Sequence, residues 1–177
     1  MMKVEKIVTG YLEENCYVIY DESNKAILVD PGSEEEKIDK FITNKNLKVV
    51  SILVTHYHFD HVGALEYFKE KYKPKIYDYE YADEVIKCSG YTIEVVSTKG
   101  HTDEDVSFYF RDEDVMFTGD FLFKGTIGRY DFDNSDMIAM QNSIKLIKSF
   151  DPKTKIYPGH GDITTLNAEL KNNDFLK

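Results

Sequence analysis

Several short stretches of the chain alternate apolar and polar residues with a period of two, which is typical of half-buried β-strands. Residues 2–8 (MKVEKIV) and 15–21 (NCYVIYD) show this alternation on either side of a polar turn and predict a hairpin. Residues 91–98 (YTIEVVST) predict another strand, and residues 105–120 predict a second hairpin that turns at the acidic run RDED. Four shorter apolar runs are also expected to be strands: AILVDPGS, KVVSILVT, PKIYDY and TKIYPGHG.

Helical patterns separate these strands. One amphipathic helix is predicted by apolar residues at intervals of three and four, namely Val62, Leu65, Phe68 and Tyr72. Ser33 and Glu36 have the spacing of a capping box and predict a helix over roughly 34–45. Further helices are expected at 81–87, at 135–150 with Asn134 or Ser135 as the cap, and at 164–173, while 121–134 is expected to be a structured loop. Interspersed strands and helices, together with hairpins, predict an α/β domain with mixed sheets that spans residues 1–177.

Composition narrows the classes of function. The net charge of -10 argues against nucleic acid as a partner, since the only dense basic patch, KEKYKPK, is expected to be a solvated helix end followed by a turn. No apolar stretch approaches the roughly 20 residues of a membrane span, and no signal peptide is recognisable, so we expect a cytoplasmic protein without membrane contact. Cys16 and Cys88 are too few and too far apart for a disulfide framework, and are expected to be buried thiols.

Three of the five histidines lie within six positions, at His56, His58 and His61, with Asp60 between them. Residues two apart in an extended segment point the same way, so His56 and His58 can face one ion. Asp60 and His61 follow where the chain turns into a helix, and their side chains can reach a neighbouring ion. An apolar strand before the cluster and a helical pattern after it give this motif its structural context.

The remaining candidates also follow predicted strands. His101 comes after YTIEVVST, Asp120 after DVMFT and His160 after TKIYP. Loops at one edge of a sheet can converge, as they do in many α/β enzymes. Seven nitrogen or oxygen ligands exceed the four of a structural zinc site and contain no sulfur. They predict two adjacent divalent ions, zinc in the first place and iron or manganese as alternatives.

These residues resemble the metallo-β-lactamase superfamily, whose His-x-His-x-Asp-His motif is here HYHFDH. The resemblance extends to NCYVIYD, AILVDPGS, TKGHT, FTGDFLFKGTIGRYDF and YPGHGDITTL, and is strongest to a short form of the glyoxalase II-type hydrolases without their C-terminal helical domain. It implies an αββα sandwich of two packed mixed sheets with helices outside. It also implies two metal sites bridged by Asp120, the first held by His56, His58 and His101 and the second by Asp60, His61 and His160.

The chain departs from the family pattern at two places. Lys99 and the run DED at 103–105 replace the usual residues around the third histidine, and neither change affects a ligand. Arg129 matches a basic position that contacts glutathione in full-length glyoxalase II, but Asp131 stands where that family has an aromatic residue. Glutathione is therefore not the expected natural substrate group.

The resemblance and the metal ligands together predict a hydrolase in which a metal-activated water cleaves a thioester or ester of a small molecule. Asp60 and Asp120 are the expected catalytic residues. Arg129 and Phe123 are candidates for substrate contact, although a salt bridge from Arg129 to Asp131 or Asp133, and core packing of the phenylalanine, are the competing interpretations. The alternatives are a mononuclear iron persulfide dioxygenase, which the stretch GRYDF also resembles, a lactone hydrolase, and a metal-containing binding module without turnover.

Overall fold

The computed structural model describes residues 1–177, which form thirteen β-strands and five α-helices. The strands are β1 (Lys3–Thr9), β2 (Glu14–Tyr20), β3 (Lys25–Val29), β4 (Lys48–Leu53), β5 (Lys75–Tyr77), β6 (Val85–Cys88), β7 (Tyr91–Ser97), β8 (Val106–Phe110), β9 (Val115–Gly119), β10 (Leu122–Phe123), β11 (Thr126–Ile127), β12 (Lys155–Pro158) and β13 (Thr164–Thr165). The helices are α1 (Glu35–Asn44), α2 (Phe59–Val62), α3 (Leu65–Tyr72), α4 (Met137–Ile147) and α5 (Leu166–Asn172).

The strands form two mixed sheets and one short hairpin. The first sheet has the order β1-β2-β3-β4-β5, antiparallel from β1 to β3 and parallel from β3 to β5. The second has the order β13-β12-β9-β8-β7-β6, and only its β9–β12 pair is parallel. The predicted hairpins β1–β2 and β8–β9 are both present.

The two sheets pack face to face with helices outside. Tyr17, Phe108 and Phe117 belong to a buried cluster that combines residues of both sheets. Successive residues of a strand face opposite sides of its sheet, so the neighbour of Tyr17, Val18, packs instead with α1 and α3. On the second sheet Met116, next to Phe117, packs with α4 and α5. This is the αββα sandwich that the resemblance implies.

This topology brings four strand ends to one edge of the sandwich. β3 and β4 run parallel in the first sheet, and β9 and β12 run parallel in the second. A contact between the sheets closes this edge, because the backbone N–H of Asn15 donates to the carbonyl of Gly159 at 2.7 Å. The segments that follow these four strands carry most of the predicted ligands.

The predicted helix at 81–87 is wrong. Residues Val85–Cys88 form strand β6, which pairs antiparallel with β7. Ile86 and Cys88 are buried while Val85 and Lys87 are exposed, so the period of two decides the structure. Both cysteines are buried free thiols, as expected.

The predicted helix caps are also wrong, although the helices exist. Glu34 precedes α1 with a φ of 53°, and no side chain caps this helix, because its carboxylate accepts the N–H of Gly10 instead. Asp136 caps α4 by accepting the N–H groups of Ile138 and Ala139. The predicted loop at 121–134 contains the short hairpin of β10 and β11. None of the helices is long and apolar enough to span a membrane.

Candidate metal centre

The first group of predicted ligands comprises His56, His58, His101 and Asp120, whose ligand atoms all lie within 4.8 Å of one another. His56 follows β4, and His58 lies at the start of α2 in an extended conformation with a ψ of 144°. The Nε2 atom of His101 is 3.0 Å from Nδ1 of His58 and 3.6 Å from Oδ2 of Asp120. The two imidazole nitrogens are close enough to bind the same cation beside them.

The second group comprises Asp60, His61 and His160, and it satisfies the same distance limit. Nε2 of His160 lies 3.2 Å from Oδ2 of Asp60, and Nε2 of His61 lies 3.8 Å from the same oxygen. The turn into α2 separates Asp60 and His61 from the two histidines before them, as the sequence predicts. His61 is fully buried, whereas Asp60 and His160 reach the surface of a cavity.

Asp120 lies between the two groups. Its Oδ1 is 3.1 Å from Nε2 of His61, and its Oδ2 is 3.6 Å from Nε2 of both His101 and His160. The carboxylate of Asp120 therefore lies close to a histidine of the first group, His101, and to two histidines of the second group, His61 and His160. This is the arrangement that a bridging ligand needs.

The histidine nitrogens that face away from the centre are held by hydrogen-bond acceptors. Nδ1 of His101 is 2.8 Å from the carbonyl oxygen of Arg129, and Nδ1 of His160 is 3.0 Å from that of Leu12. A carbonyl oxygen only accepts, so each Nδ1 carries the proton and each Nε2 keeps the lone pair that binds a metal.

Asp30 and Thr55 orient two further histidines. Nδ1 of His61 lies 3.0 Å from Oδ2 of Asp30. Thr55 donates its hydroxyl to the same oxygen at 2.6 Å and its backbone N–H to Oδ1 at 2.8 Å. The Thr55 oxygen is also 3.0 Å from Nδ1 of His56. Because the hydroxyl proton is committed to Asp30, this oxygen accepts from His56 and leaves Nε2 of His56 free for a metal.

The sequence reasoning missed Asp30 and Thr55. Asp30 directly follows β3, which is the same signal that selects Asp120 after β9, but the sequence indicates only a short strand that ends at Pro31 and Gly32. Thr55 immediately precedes the histidine motif and was counted as the end of a strand. Both residues are about 2 % exposed, so their hydrogen bonds are made in a buried environment.

The hydrogen-bonding state of the ligand atoms supports binding of divalent metal ions, and this support does not depend on any sequence motif. Three buried ligand atoms make no hydrogen bond of good geometry, although the last two lie 3.1 Å apart: Nε2 of His56, Nε2 of His61 and Oδ1 of Asp120. A buried polar atom without a partner costs roughly 1–3 kcal/mol, and these three converge on the space between the histidines. Nitrogen and oxygen donors without sulfur suit zinc, iron or manganese.

Electrostatics favour the protonation states that bind metal at most of these positions. Burial lowers the pKa of His56 and of His58, which keeps both imidazoles neutral. Burial alone would raise the pKa of Asp120, but the adjacent His61 outweighs it and holds this pKa well below the ordinary range. His61 and His160 are the exceptions, because burial lowers the pKa of each but neighbouring aspartates outweigh it and raise the pKa: Asp120 and Asp30 at His61, and Asp60 and Asp120 at His160. Metal binding at His61 therefore releases a proton.

Two glycines make room for Asp120. A Cβ on Gly159 would lie 2.4 Å from Oδ1 of Asp120 and 2.6 Å from Cε1 of His61. A Cβ on Gly128 would lie 1.7 Å from the carbonyl oxygen of Asp120. Both distances are far inside van der Waals contact, so only glycine allows the ligands to pack this closely.

A cavity of about 480 Å³ opens above both groups. Predicted substrate residues Arg129 and Phe123 line it, and Phe132 lies on the same wall. Phe121 instead is fully buried in the core. The competing interpretation of Arg129 also holds, since its guanidinium makes two hydrogen bonds to Asp131, at 2.9 and 3.1 Å.

A buried carboxyl lies behind the second group. Glu14 is fully buried and accepts a hydrogen bond from the Thr9 hydroxyl at 2.8 Å. One of its carboxylate oxygens lies within 4.8 Å of ligand atoms of Asp30 and His61, so these three residues form a third group that could hold a metal ion. Burial raises the pKa of Glu14 to about 10, so it is protonated at neutral pH. A neutral carboxyl is a poor metal ligand, and this residue is better described as part of the support of the site.

Comparison with known proteins agrees with this geometry. The family model of the Metallo-beta-lactamase superfamily matches residues 9–87 and 78–160, which contain all seven predicted ligands. The chain belongs to the metallo-β-lactamase superfamily. Members of this superfamily are mostly metal-dependent hydrolases and bind divalent metals, often as a dinuclear centre.

Three similar proteins place the chain within the metallo-β-lactamase superfamily. The hydroxyacylglutathione hydrolase GloC of Haemophilus influenzae is 29% identical over 208 residues, covering 99% of this chain and 98% of that protein. The crystal structure of BLEG-1 B3 metallo-β-lactamase matches with a TM-score of 0.91 at 27% identity, covering 99% of this chain and 100% of that one. TTHA1623 in a di-iron-bound form matches with a TM-score of 0.87 at 33% identity, covering 97% and 100%. The predicted fold and family are thus confirmed.

Proposed function

We propose that this protein is a hydrolase that uses two divalent metal ions, zinc in the first place, to cleave a thioester or ester of a small molecule. The observation that carries the proposal is the convergence of seven nitrogen and oxygen ligands, in two groups joined at Asp120, beneath an open cavity that five of them line. The similarity to a hydroxyacylglutathione hydrolase supports a thioester as the bond that is cleaved.

The cavity lining supports water as the nucleophile. Its ten residues include no serine, cysteine or lysine, and its carboxylates and imidazoles are the proposed metal ligands. Water is the nucleophile that remains, and it needs activation at neutral pH. Divalent ions bound at this centre would supply it by lowering the pKa of a bound water to about 7 and by acting as Lewis acids on the carbonyl oxygen.

The protein residues have separate tasks in this reaction. His56, His58 and His101 would hold the first ion, Asp60, His61 and His160 would hold the second, and Asp120 would contact both. Asp60 also lines the cavity, and there its carboxylate accepts a hydrogen bond from the attacking water and orients it. Phe123 and Phe132 wall the cavity against bulk solvent.

Metal content and turnover test the proposal together. Protein purified without chelators is expected to contain about two zinc or manganese ions per chain and to hydrolyse members of a panel of thioesters, esters and lactones. Asp120→Ala is expected to lose the second ion and turnover, while Asp112→Ala, at an exposed position remote from the ligands, is the matched control. An Asp120→Ala protein that keeps both ions and full activity would contradict the bridging role.

A second candidate is the mononuclear iron persulfide dioxygenase, which the stretch GRYDF at 128–132 favours. This stretch contacts the centre directly, because the carbonyl of Arg129 holds His101. About one iron per chain, together with oxygen consumption on a persulfide and no thioester turnover, would contradict the hydrolase proposal and support the dioxygenase. A lactone in the panel that is cleaved faster than any thioester would change only the substrate class.

A further inference from the structure

The cavity above the metal ligands is walled mainly by apolar side chains. Besides five of the proposed ligands, its lining consists of Leu12, Phe59, Phe123, Phe132 and one cation, Arg129. Phe59 is 63% exposed and Phe132 is 38% exposed. Large apolar side chains gathered around a concave surface are typical of a ligand-binding groove.

The apolar surface continues beyond Phe59. A second cavity of about 370 Å³ shares Leu12, Phe59 and Asp60 with the first. Tyr11, which is 83% exposed, stacks on the Phe59 ring with 6.5 Å between ring centroids. A substrate that leaves the metal centre on this side meets these apolar groups beside the polar residues Thr9, Ser33 and Glu35, and it meets no cation.

The one cation of the metal cavity is already paired. Nε and Nη2 of Arg129 donate to the two carboxylate oxygens of Asp131 at 2.9 and 3.1 Å. The guanidinium carbon also lies 4.5 Å from the centre of the Phe132 ring. This forked pair uses Nε–H and one Nη2–H of the five guanidinium donors and offsets the positive charge, which weakens the attraction of Arg129 for a substrate carboxylate. Both partners are about two-thirds exposed (67% and 66%), so geometry rather than burial maintains the pair.

The next charged residue along this wall is paired in the same way. Lys124 follows the cavity residue Phe123 and donates to Asp162 at 2.9 Å. An anionic substrate group entering here would have to compete with an aspartate at either cation. An uncharged group would face no such competition and would cover the exposed rings.

We propose that the site prefers thioesters or esters whose group in this cavity is uncharged and apolar, and that Asp131 sets this preference by holding the Arg129 fork. The proposal rests on the proposed hydrolase function. In the reaction the water oxygen bonds to the carbonyl carbon, and the carbon–sulfur bond breaks with its electron pair on sulfur. The sulfur takes up a proton, so the products are a thiol and a carboxylic acid.

The test uses two thioesters with the same acyl group, one on the neutral thiol N-acetylcysteamine and one on anionic glutathione. The metal-loaded wild type is expected to have the lower KM for the neutral thioester. In Asp131→Asn the ratio of the two KM values, anionic over neutral, is expected to fall by about 1.5- to fivefold, the range for a solvent-exposed charge pair, and less so at high salt. Asp133→Asn, an exposed aspartate two residues away, is the matched control and should leave the ratio unchanged.

A second variant distinguishes release of Arg129 from a general change of charge. In the double variant Arg129→Gln/Asp131→Asn the gain for the anionic thioester should disappear. A wild type that prefers the anionic thioester, or an Asp131→Asn protein with an unchanged ratio, would overturn the proposal.

A binding experiment separates this proposal from the hydrolase function. An S-alkyl glutathione thioether cannot be hydrolysed, and Asp131→Asn is expected to bind it about 1.5- to fivefold more tightly than the wild type does. If this gain is seen but neither thioester is cleaved by the metal-loaded protein, the hydrolase assignment fails while the role of Asp131 stands. If thioesters are cleaved without the gain, only the role of Asp131 fails.

Discussion

Asp30 accepts a hydrogen bond from Nδ1 of His61 at 3.0 Å, in a site where both side chains are buried. The same carboxylate holds Thr55, whose hydroxyl oxygen lies 3.0 Å from Nδ1 of His56. One aspartate that binds no metal in our assignment therefore orients a ligand of each metal group. Acceptors of this kind fix both the tautomer and the angle of an imidazole.

Asp30→Asn is expected to weaken metal binding by about 10- to 100-fold, because an amide of the same shape lacks the charge that holds these histidines. The dissociation constant for zinc can be measured by competition with a chromogenic chelator. Asp112→Asn, on the exposed surface, is the control for the change of charge. Unchanged zinc affinity in Asp30→Asn would mean that the protein backbone alone positions the histidines.

Thr55→Val tests the connection to the first metal group. Valine keeps the shape of threonine but removes the hydroxyl between His56 and Asp30, and the carboxylate keeps its bond to His61. We expect one of the two ions to be lost first as the chelator concentration rises. Simultaneous loss of both ions would indicate that metal binding at the two groups is strongly coupled, so that one substitution weakens both.

Gly159→Ala is expected to disrupt the centre without removing a ligand. The new methyl group would lie 2.4 Å from Oδ1 of Asp120 and 2.6 Å from Cε1 of His61, so both ligands must move. Elemental analysis should find less than two ions per chain. Gly90→Ala is the control, since nothing lies within 4 Å of a Cβ built on this residue. It should lower the free energy of unfolding only by the backbone strain of alanine at a φ of +88°, roughly 1 kcal/mol. A Gly159→Ala protein with full metal content would show that this edge of the sandwich can relax.

The parts of the fold that the sequence predicts well are those with strong hydrophobic periodicity. The two hairpins, the apolar strand β4 and the helices α3 and α4 all follow from such patterns. Strand β6 was misjudged because a four-residue strand gives only two buried positions, Ile86 and Cys88. Its structure depends on pairing with β7, which no local pattern contains.

Some residues of the candidate site can also be predicted from the sequence, and others cannot. All seven ligands were selected from sequence because they follow strands and carry metal-binding side chains, and the structure brings them together. Residues that support ligands gave no such signal, since Thr55 is an ordinary strand residue until its contacts are known. The pairing of Arg129 was open, because two aspartates lie within four residues of it and only geometry selects Asp131 over Asp133.

Glu14 offers a test of a buried neutral carboxyl. Its Oε1 has no hydrogen-bond partner, and burial raises its pKa to about 10. Glu14→Gln should therefore change the free energy of unfolding by less than about 1 kcal/mol, whereas Glu14→Ala should lose roughly 1–3 kcal/mol by leaving the Thr9 hydroxyl without its acceptor and a void beside it. Urea denaturation at pH 7 measures both. Equal losses in the two variants would indicate that the ionised form matters.

Asp105 provides a prediction for the pH dependence of stability. It is 3% exposed and accepts hydrogen bonds from the N–H and hydroxyl of Thr102, next to the ligand His101. Burial raises its pKa from 3.8 to about 7 in the folded protein. The folded state then binds the proton more tightly than the unfolded state, so the stabilisation is complete below pH 3.8 and is lost as the pH rises to about 7.

Asp105→Asn removes this titration while keeping a neutral side chain of the same shape. Between pH 5.5 and pH 8 the wild type should lose about 2 kcal/mol more stability than the variant. Urea denaturation of both proteins at the two pH values measures the difference, in which the metal ligands common to both proteins cancel. Asp103→Asn, an exposed neighbour, is the control and should follow the wild type. If the wild type and Asp105→Asn change in parallel, Asp105 is already ionised at pH 5.5, and its bonds to Thr102 outweigh its burial.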